Sequence, residues 1–501
     1  MRIRVDDYRR LLAVTTVTLL TVTGCARSGP AGDPPAPTGP SVSAQAQQRY
    51  GAAPTPHPDV TYQPDVVIVG GGAASVRSVA ADTFTWRIDP AAANADQLAP
   101  GKVMFLTGRA VGRVIDVRRE GDDLAVAIGP VDITDVIRDG TFTSAEPVPL
   151  AAARPVPDAA ASWSQTSDDD GGGTGGGSAV AGGGIGPGQG GDDIGPAHGG
   201  GALGPVGGAS ADGGLVVPAA NQRPQLTPRP ICCANGVGAE FTYSSAGVRL
   251  VGLVLLKMTA PTAAFHLEIR GAKVIRAEFE INGAAALRVE INATTSTGQN
   301  IDPRIPIPVD FSVPIGEVLG VPFAATVTQV IGVHTAFGAK DGNISAVGEW
   351  SLNQSMSFGY ANGSFGVRAP TSISVDQSLM DSITGISVGV NGVWLDYHAK
   401  FHVGLGALGF IAGLYFQLTL TLGMTIGSAL GAPLVVCRSA QLGLWASYGV
   451  GYTIPAGLVA VINTFLQLFN AKPIPKEDGV GDSKLLYDKP VVYPNVPICR
   501  N

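Results

Sequence analysis

The chain has 501 residues, of which 45% are hydrophobic and 15% charged, and its net charge is -7. That is enough apolar material for a substantial core, and the lack of a basic excess excludes nucleic acid as an expected partner. Gly (68) and Pro (37) are abundant, so part of the chain is expected to lie outside any core.

The first ten residues carry Arg2, Arg4, Arg9 and Arg10, and the apolar run at 11–22 that follows is too short for a permanent membrane helix. This is the pattern of a signal peptide, residues 1–24. Its end, Val22-Thr23-Gly24-Cys25, resembles the lipobox of bacterial lipoproteins, in which small residues precede a cysteine that is acylated and becomes the new N-terminus. The resemblance is confined to these first residues. It implies lipidation, including palmitate, at Cys25, and a protein anchored in the cell envelope facing away from the cytoplasm. Arg9-Arg10 also resembles a twin-arginine signal, so folded and unfolded export both remain open. Residues 25–61, rich in Pro, Ala, Gly and Ser without periodicity, read as a flexible tether.

Residues 62–150 read as a small β domain. Strands are expected at 83–88 and 102–107, and 114–118 and 124–128 flank Glu120-Gly121-Asp122-Asp123 as a hairpin would. One short helix is expected at 131–138, with Asp132 near its start. Residues 151–230 lose all periodicity and read as a disordered Gly/Pro-rich linker. A ninefold spacing in it, marked by Ile185, Ile194 and Leu203, is reminiscent of calcium-binding β-roll repeats. Only the middle copy carries acidic residues, Asp192 and Asp193, so a slipped low-complexity sequence is the better reading.

Residues 231–501 read as a large antiparallel β domain, sandwich or barrel-like, with a Pro-rich tail. Ile275, Ala277, Phe279 and Ile281 alternate with polar neighbours, as do Leu287, Val289 and Ile291, and Leu414, Phe416, Leu418, Leu420 and Leu422, which gives one inward and one watered face. The uncharged stretch 403–436, with Gly409 and Gly413, makes a transmembrane helix the rival reading there. The alternation argues against it. Pro306 and Pro308 assign their strand to a sheet edge. One C-terminal amphipathic helix is expected at 458–469, with Leu458, Ile462, Phe465 and Phe469 on one face.

Besides Cys25, four cysteines remain: Cys232, Cys233, Cys437 and Cys499. In an oxidising compartment they are expected to form two disulfides. A bond between adjacent cysteines is unfavourable geometrically, so each of Cys232 and Cys233 is expected to reach one of the two distant cysteines. No CxxC spacing favours a metal instead.

Three motifs invite a chemical reading. Val69-Gly70-Gly71-Gly72-Ala73-Ala74-Ser75 is similar to a dinucleotide-binding fingerprint, but Ser75 stands in place of the third glycine and the helix to follow would be very short. Gly385-Ile386-Ser387-Val388-Gly389 matches the nucleophile elbow of α/β-hydrolases, yet its surroundings alternate like a strand, and Asp396 and His398 follow too closely to be a distant acid and base. Asp396, His398, Lys400 and His402 recur at every second position. On a strand, His398 and His402 would stand about 13 Å apart, too far to share one zinc, so this series reads as a solvated face. His57, His198, His266 and His334 show no triad or metal spacing.

The resulting expectation is a mainly β, non-catalytic envelope protein with a binding, adhesion or structural role. It carries no cofactor, metal site or catalytic residue. Its partners are the membrane, through the N-terminal lipid, and an envelope polymer, lipid or protein. The alternative is a β domain that carries lipid or inserts into a membrane through 403–436.

Overall fold

The computed structural model describes residues 44–80, 84–155 and 225–500, the last with short interruptions and a longer one at 454–476, where only Asn463 and Gln467 are described. The signal peptide, Cys25, the ninefold repeat, His198, Ser387, Pro308 and the apolar face of the helix expected at 458–469 lie outside these residues.

The described residues belong to one compact unit, mainly β, built of three open sheets with no closed barrel among the described residues. The first sheet runs through the strands Thr61–Tyr62, Ile137–Thr143, Val248–Arg270, Lys273–Thr295, Asn343–Leu352 and Ile373–Gln377, joined on its flanks by five shorter pairings. In the second sheet, Arg154–Pro155, Phe311–Val318, Val321–Phe337, Val390–Leu405, Ile411–Ala429, Ala432–Thr453 and Glu477–Tyr493 lie in that order. The third sheet has six strands drawn from residues 66–129.

Alternation explains the first two sheets. Ala277, Phe279, Ile281, Leu287, Val289 and Ile291 are buried along one continuous strand, and Leu414, Phe416, Leu418, Leu420 and Leu422 are buried along another. Each strand thus presents one apolar face, and the faces of the two sheets meet as in a β-sandwich. Phe265 of the first sheet packs against Phe323 of the second, with ring centres 5.2 Å apart. Tyr448 is stacked between Phe358 and Phe416, at 5.6 and 6.4 Å. The strand Val248–Arg270 changes which parity faces inward at a bulge. Met258 pairs with Ala284 and the next partners are Thr262 and Asn282, so even residues are buried before the bulge and odd ones after it. Gly283 sits at φ 96° there, and a Cβ on it would meet Thr259 O at 2.4 Å, so the bulge requires glycine.

The described residues of the uncharged stretch that rivalled a membrane helix are strand apart from Gly406, and no described helix is long and apolar enough to cross a membrane. The inward side chains of the stretch, Leu414, Phe416, Leu418, Leu420, Leu422 and Met424, are buried in the sandwich, whereas Leu434 and Val436 at its end are exposed. Among the described residues Arg304–Pro306 pairs only with Val321–Phe337, consistent with the edge position expected from its prolines.

Several local expectations are corrected. The helix expected at 131–138 is only Ile133–Val136, where the Asp135 carboxylate accepts the Asp132 backbone N–H at 3.4 Å. From Ile137 the chain is a strand, because Ile137, Gly140 and Phe142 point inward while the backbone pairs with residues 266–269. The tether expected over 25–61 does not extend to 61: Ala44–Tyr50 is helical, and Tyr50 is buried edge-on against Trp86, 6.0 Å between centres. The expected boundary at residue 150 is crossed by pairing. Residues 61–62, 137–143 and 148–149 extend the first sheet, and 154–155 the second. Only the six-stranded sheet, with its hairpin Val111–Glu120 and Asp123–Gly129, is confined to the small segment.

The cysteine pairing is corrected too. Cys437 bonds Cys499, with Cα atoms 5.4 Å apart, and Cys232 pairs with Cys233. Cys499 follows the edge strand that pairs with the Cys437 strand, which brings these two together and leaves no distant partner for Cys232 or Cys233.

Candidate functional site

The outward positions of the second sheet form a grid set by register. His334 stands opposite Trp394, Gly332 opposite Asp396, Val330 opposite His398, and Thr328 opposite Lys400. On the next strand Gly423, Thr421, Thr419, Gln417 and Tyr415 face Trp394, Asp396, His398, Lys400 and His402 in turn. Beyond these lie Gly443, Trp445, Ser447 and Gly449. Inward neighbours such as Leu395, Tyr397, Leu420 and Leu444 are buried, so the core fixes the register that exposes the grid.

Glycines make room for aromatic side chains on this sheet. A Cβ on Gly423 would fall 2.8 Å from the Trp394 ring, and one on Gly481 would fall 2.5 Å from the Tyr415 hydroxyl oxygen. Trp394 remains 38% exposed, and its indole N–H points at the Asp396 carboxylate, 3.1 Å from each oxygen. His334 Nε2 lies 3.9 Å from Asp396 Oδ2. His398 Nδ1 is 3.1 Å from Thr419 Oγ1 and 3.3 Å from Gln417 Nε2.

The series Asp396, His398, Lys400 and His402 therefore shares one face, as its spacing indicates, but that face is not uniformly solvated. Asp396 and His398 are half-buried, whereas Lys400 and His402 are 8% and 4% exposed. Tyr415 is the visible reason at the buried end: the Lys400 ammonium sits 4.4 Å from its ring centre, and the His402 ring 6.4 Å away. Burial, and then the Lys400 charge, hold the His402 imidazole well below its ordinary pKa, so it is neutral at physiological pH.

The opposite side of the molecule differs in kind. The outer face of the first sheet carries a charge ladder in which Glu349 accepts from Lys257 and from Arg288 Nη1 at 2.8 Å, and Arg288 Nε donates to Glu290 at 2.7 Å. These charges pair with one another along and across strands.

The other motifs resolve locally. The strand Val66–Ile68 ends in a glycine turn closed on itself, Ser75 Oγ donating to Gly70 O at 2.9 Å. A single 3-10 turn and then the strand Val76–Val79 follow. No long helix offers its N-terminus to a phosphate there. Gly385 packs against Asn343. His57 Nδ1 accepts the Asp59 backbone N–H at 3.2 Å, and His266 Nδ1 is 2.8 Å from Thr143 Oγ1. Among the described residues no three His, Cys, Asp or Glu side chains gather as a metal site. The residues overlooked in the sequence are Trp394, Tyr415 and Trp445. Their signal was present as large aromatics at outward parity, Trp394 facing Gly423 and Tyr415 facing Gly449, but it becomes readable only once the register is known.

No curated protein and no solved structure matches the chain. Residues 46–139 match the family described as Domain of unknown function (DUF8403). Residues 213–482 match the family described as Domain of unknown function (DUF8402), and since that match spans more than half of the sequence, the chain belongs to that family.

Proposed function

We propose that this protein is a lipid-anchored, non-catalytic binding module of the cell envelope, and that it holds an envelope glycan on the outer face of its second sheet. The observation that carries this reading is Trp394, 38% exposed, with the edge of its ring against Gly423 and its indole N–H donated to Asp396. A partly exposed indole suits the C–H face of a sugar, and the surrounding Asp396, His334, Thr421 and Thr419 supply hydrogen-bonding partners for hydroxyl groups. The lipobox ending at Cys25 supports anchoring, since several acyl chains, at about 0.8 kcal/mol per buried methylene, make release negligible.

Two measurements test the reading. Cys25→Ala should move the protein out of the membrane fraction, and retention after a carbonate wash would remove the lipid anchor. The mature chain should co-sediment with isolated, protein-free envelope polysaccharide, and Trp394→Ala should weaken this about tenfold. Equal sedimentation of both chains would remove the sheet face as the binding site.

A further inference from the structure

Five of the exposed apolar residues, Leu434, Val436, Tyr493, Val496 and Ile498, gather at one end of the second sheet, while others such as Val251, Ile275 and Val375 lie on the first. The hairpin formed by Ile411–Ala429 and Ala432–Thr453 keeps register until Ser428 and Val436, and then Ala429 pairs with Ala432. Residues 433–435 are therefore extruded from the ladder, and Leu434 among them is 97% exposed. Val436 beside it is 48% exposed. The Cys437–Cys499 bond fastens the C-terminal segment to the same end, where Tyr493 opposes Arg438 across the ladder. Tyr493, Val496 and Ile498 are exposed there as well.

We propose that this hairpin tip dips into an anionic lipid surface. A soluble face gains nothing from a leucine presented entirely to water, and a cluster of exposed aliphatic side chains marks an interaction site. Its shape favours a fluid phase: a bulge at a hairpin end is a narrow projection, for which a protein partner would need a matching pocket. Its chemistry fits the membrane boundary, with leucine, valine and isoleucine at the end and a tyrosine among them, the residue types that partition into the acyl and headgroup layers. The charges agree. Residues 428–441 and 490–501 contain Arg438 and Arg500 and no Asp or Glu, in a chain whose net charge is -7, which matches anionic headgroups. The nearby short helix Leu379–Ser382 contributes one carboxylate, Asp381. The tip is separate from the Trp394 site and does not depend on it.

The acyl anchor must be absent from the test, so the mature chain is begun at Ala26. It should float with vesicles of phosphatidylglycerol and phosphatidylcholine, and Leu434→Asp combined with Ile498→Asp should lower the partition at least tenfold. Both side chains are exposed, so the fold should persist, to be checked by circular dichroism. In a separate variant, Leu434→Trp, the added indole should shift to shorter emission wavelengths on vesicle addition and be quenched by brominated acyl chains. The proposal is overturned if the chain begun at Ala26 does not float, if the double variant floats equally well, or if the reporter is quenched by aqueous iodide alone. It is overturned equally if Leu434→Asp instead dissolves a dimer in solution, which would make a second copy the occupant.

Discussion

Trp394 rests on Gly423 of the neighbouring strand, where an added Cβ would come within 2.8 Å of the indole. The glycine is thus the seat of the ring. Gly423→Val is expected to lift Trp394 and to weaken glycan sedimentation by about the same factor as Trp394→Ala. The melting temperature should change little, because the inward neighbours Leu422 and Met424 keep their packing. Unchanged glycan binding in Gly423→Val would show that the seating is irrelevant.

A second prediction concerns the sandwich interior. The Tyr397 hydroxyl lies 2.7 Å from Gln329 Oε1 and 3.3 Å from Val237 O, and both side chains are buried. Burial raises the Tyr397 pKa strongly, so the phenol stays protonated. Tyr397→Phe should cost about 1–3 kcal/mol by leaving the buried Gln329 Oε1 without its donor. Adding Gln329→Met should recover part of that loss, a non-additivity that urea unfolding of both variants would reveal.

Acid sensitivity is expected at Glu349. Hydrogen bonds from Lys257 first, and from Arg288 second, hold its carboxyl below the ordinary value of 4.5. A carboxyl depressed on folding adds stability above its unfolded pKa, and this stability is lost as pH falls through the folded value. The wild-type chain should therefore lose stability below about pH 4.5, and Glu349→Gln should be less stable at neutral pH with a shallower loss in acid. Parallel denaturation curves from pH 7 to pH 3 provide the check.

The Cys437–Cys499 bond closes a separation of 62 residues, worth about 4 kcal/mol in the chain-entropy account. Cys499→Ser should lower the urea midpoint and free the C-terminal segment for proteolysis. Non-reducing mass spectrometry should find Cys437 linked to Cys499, with Cys232 and Cys233 joined inside one peptide. A cross-link from either of the latter to Cys437 would contradict the pairing.

A protease site placed between residues 170 and 200 tests how the segments cohere. Since residues 137–143 pair with the strand Val248–Arg270, the two products should co-elute after cleavage and separate only in denaturant. Independent elution would restore two self-contained domains.

The sequence alone determined the β class, the inward and outward sets on the strands at 273–295 and 411–429, the edge strand at Pro306, and the resemblance at Cys25. These are local properties: a period of two decides a strand's faces without reference to any other strand. Only the tertiary structure decided the rest. Residues 137–138 gave up a helix because their strand, Ile137–Thr143, found partners far along the chain, at 61–62 and at 266–269. Cysteine pairing followed which strands lie side by side, and the small segment merged into the larger sheets through pairings with no local signal. The same holds for the candidate site and the tip. That Trp394 faces Gly423, or that Leu434 is pushed out where register slips, depends on cross-strand alignment, a long-range quantity that no single strand encodes.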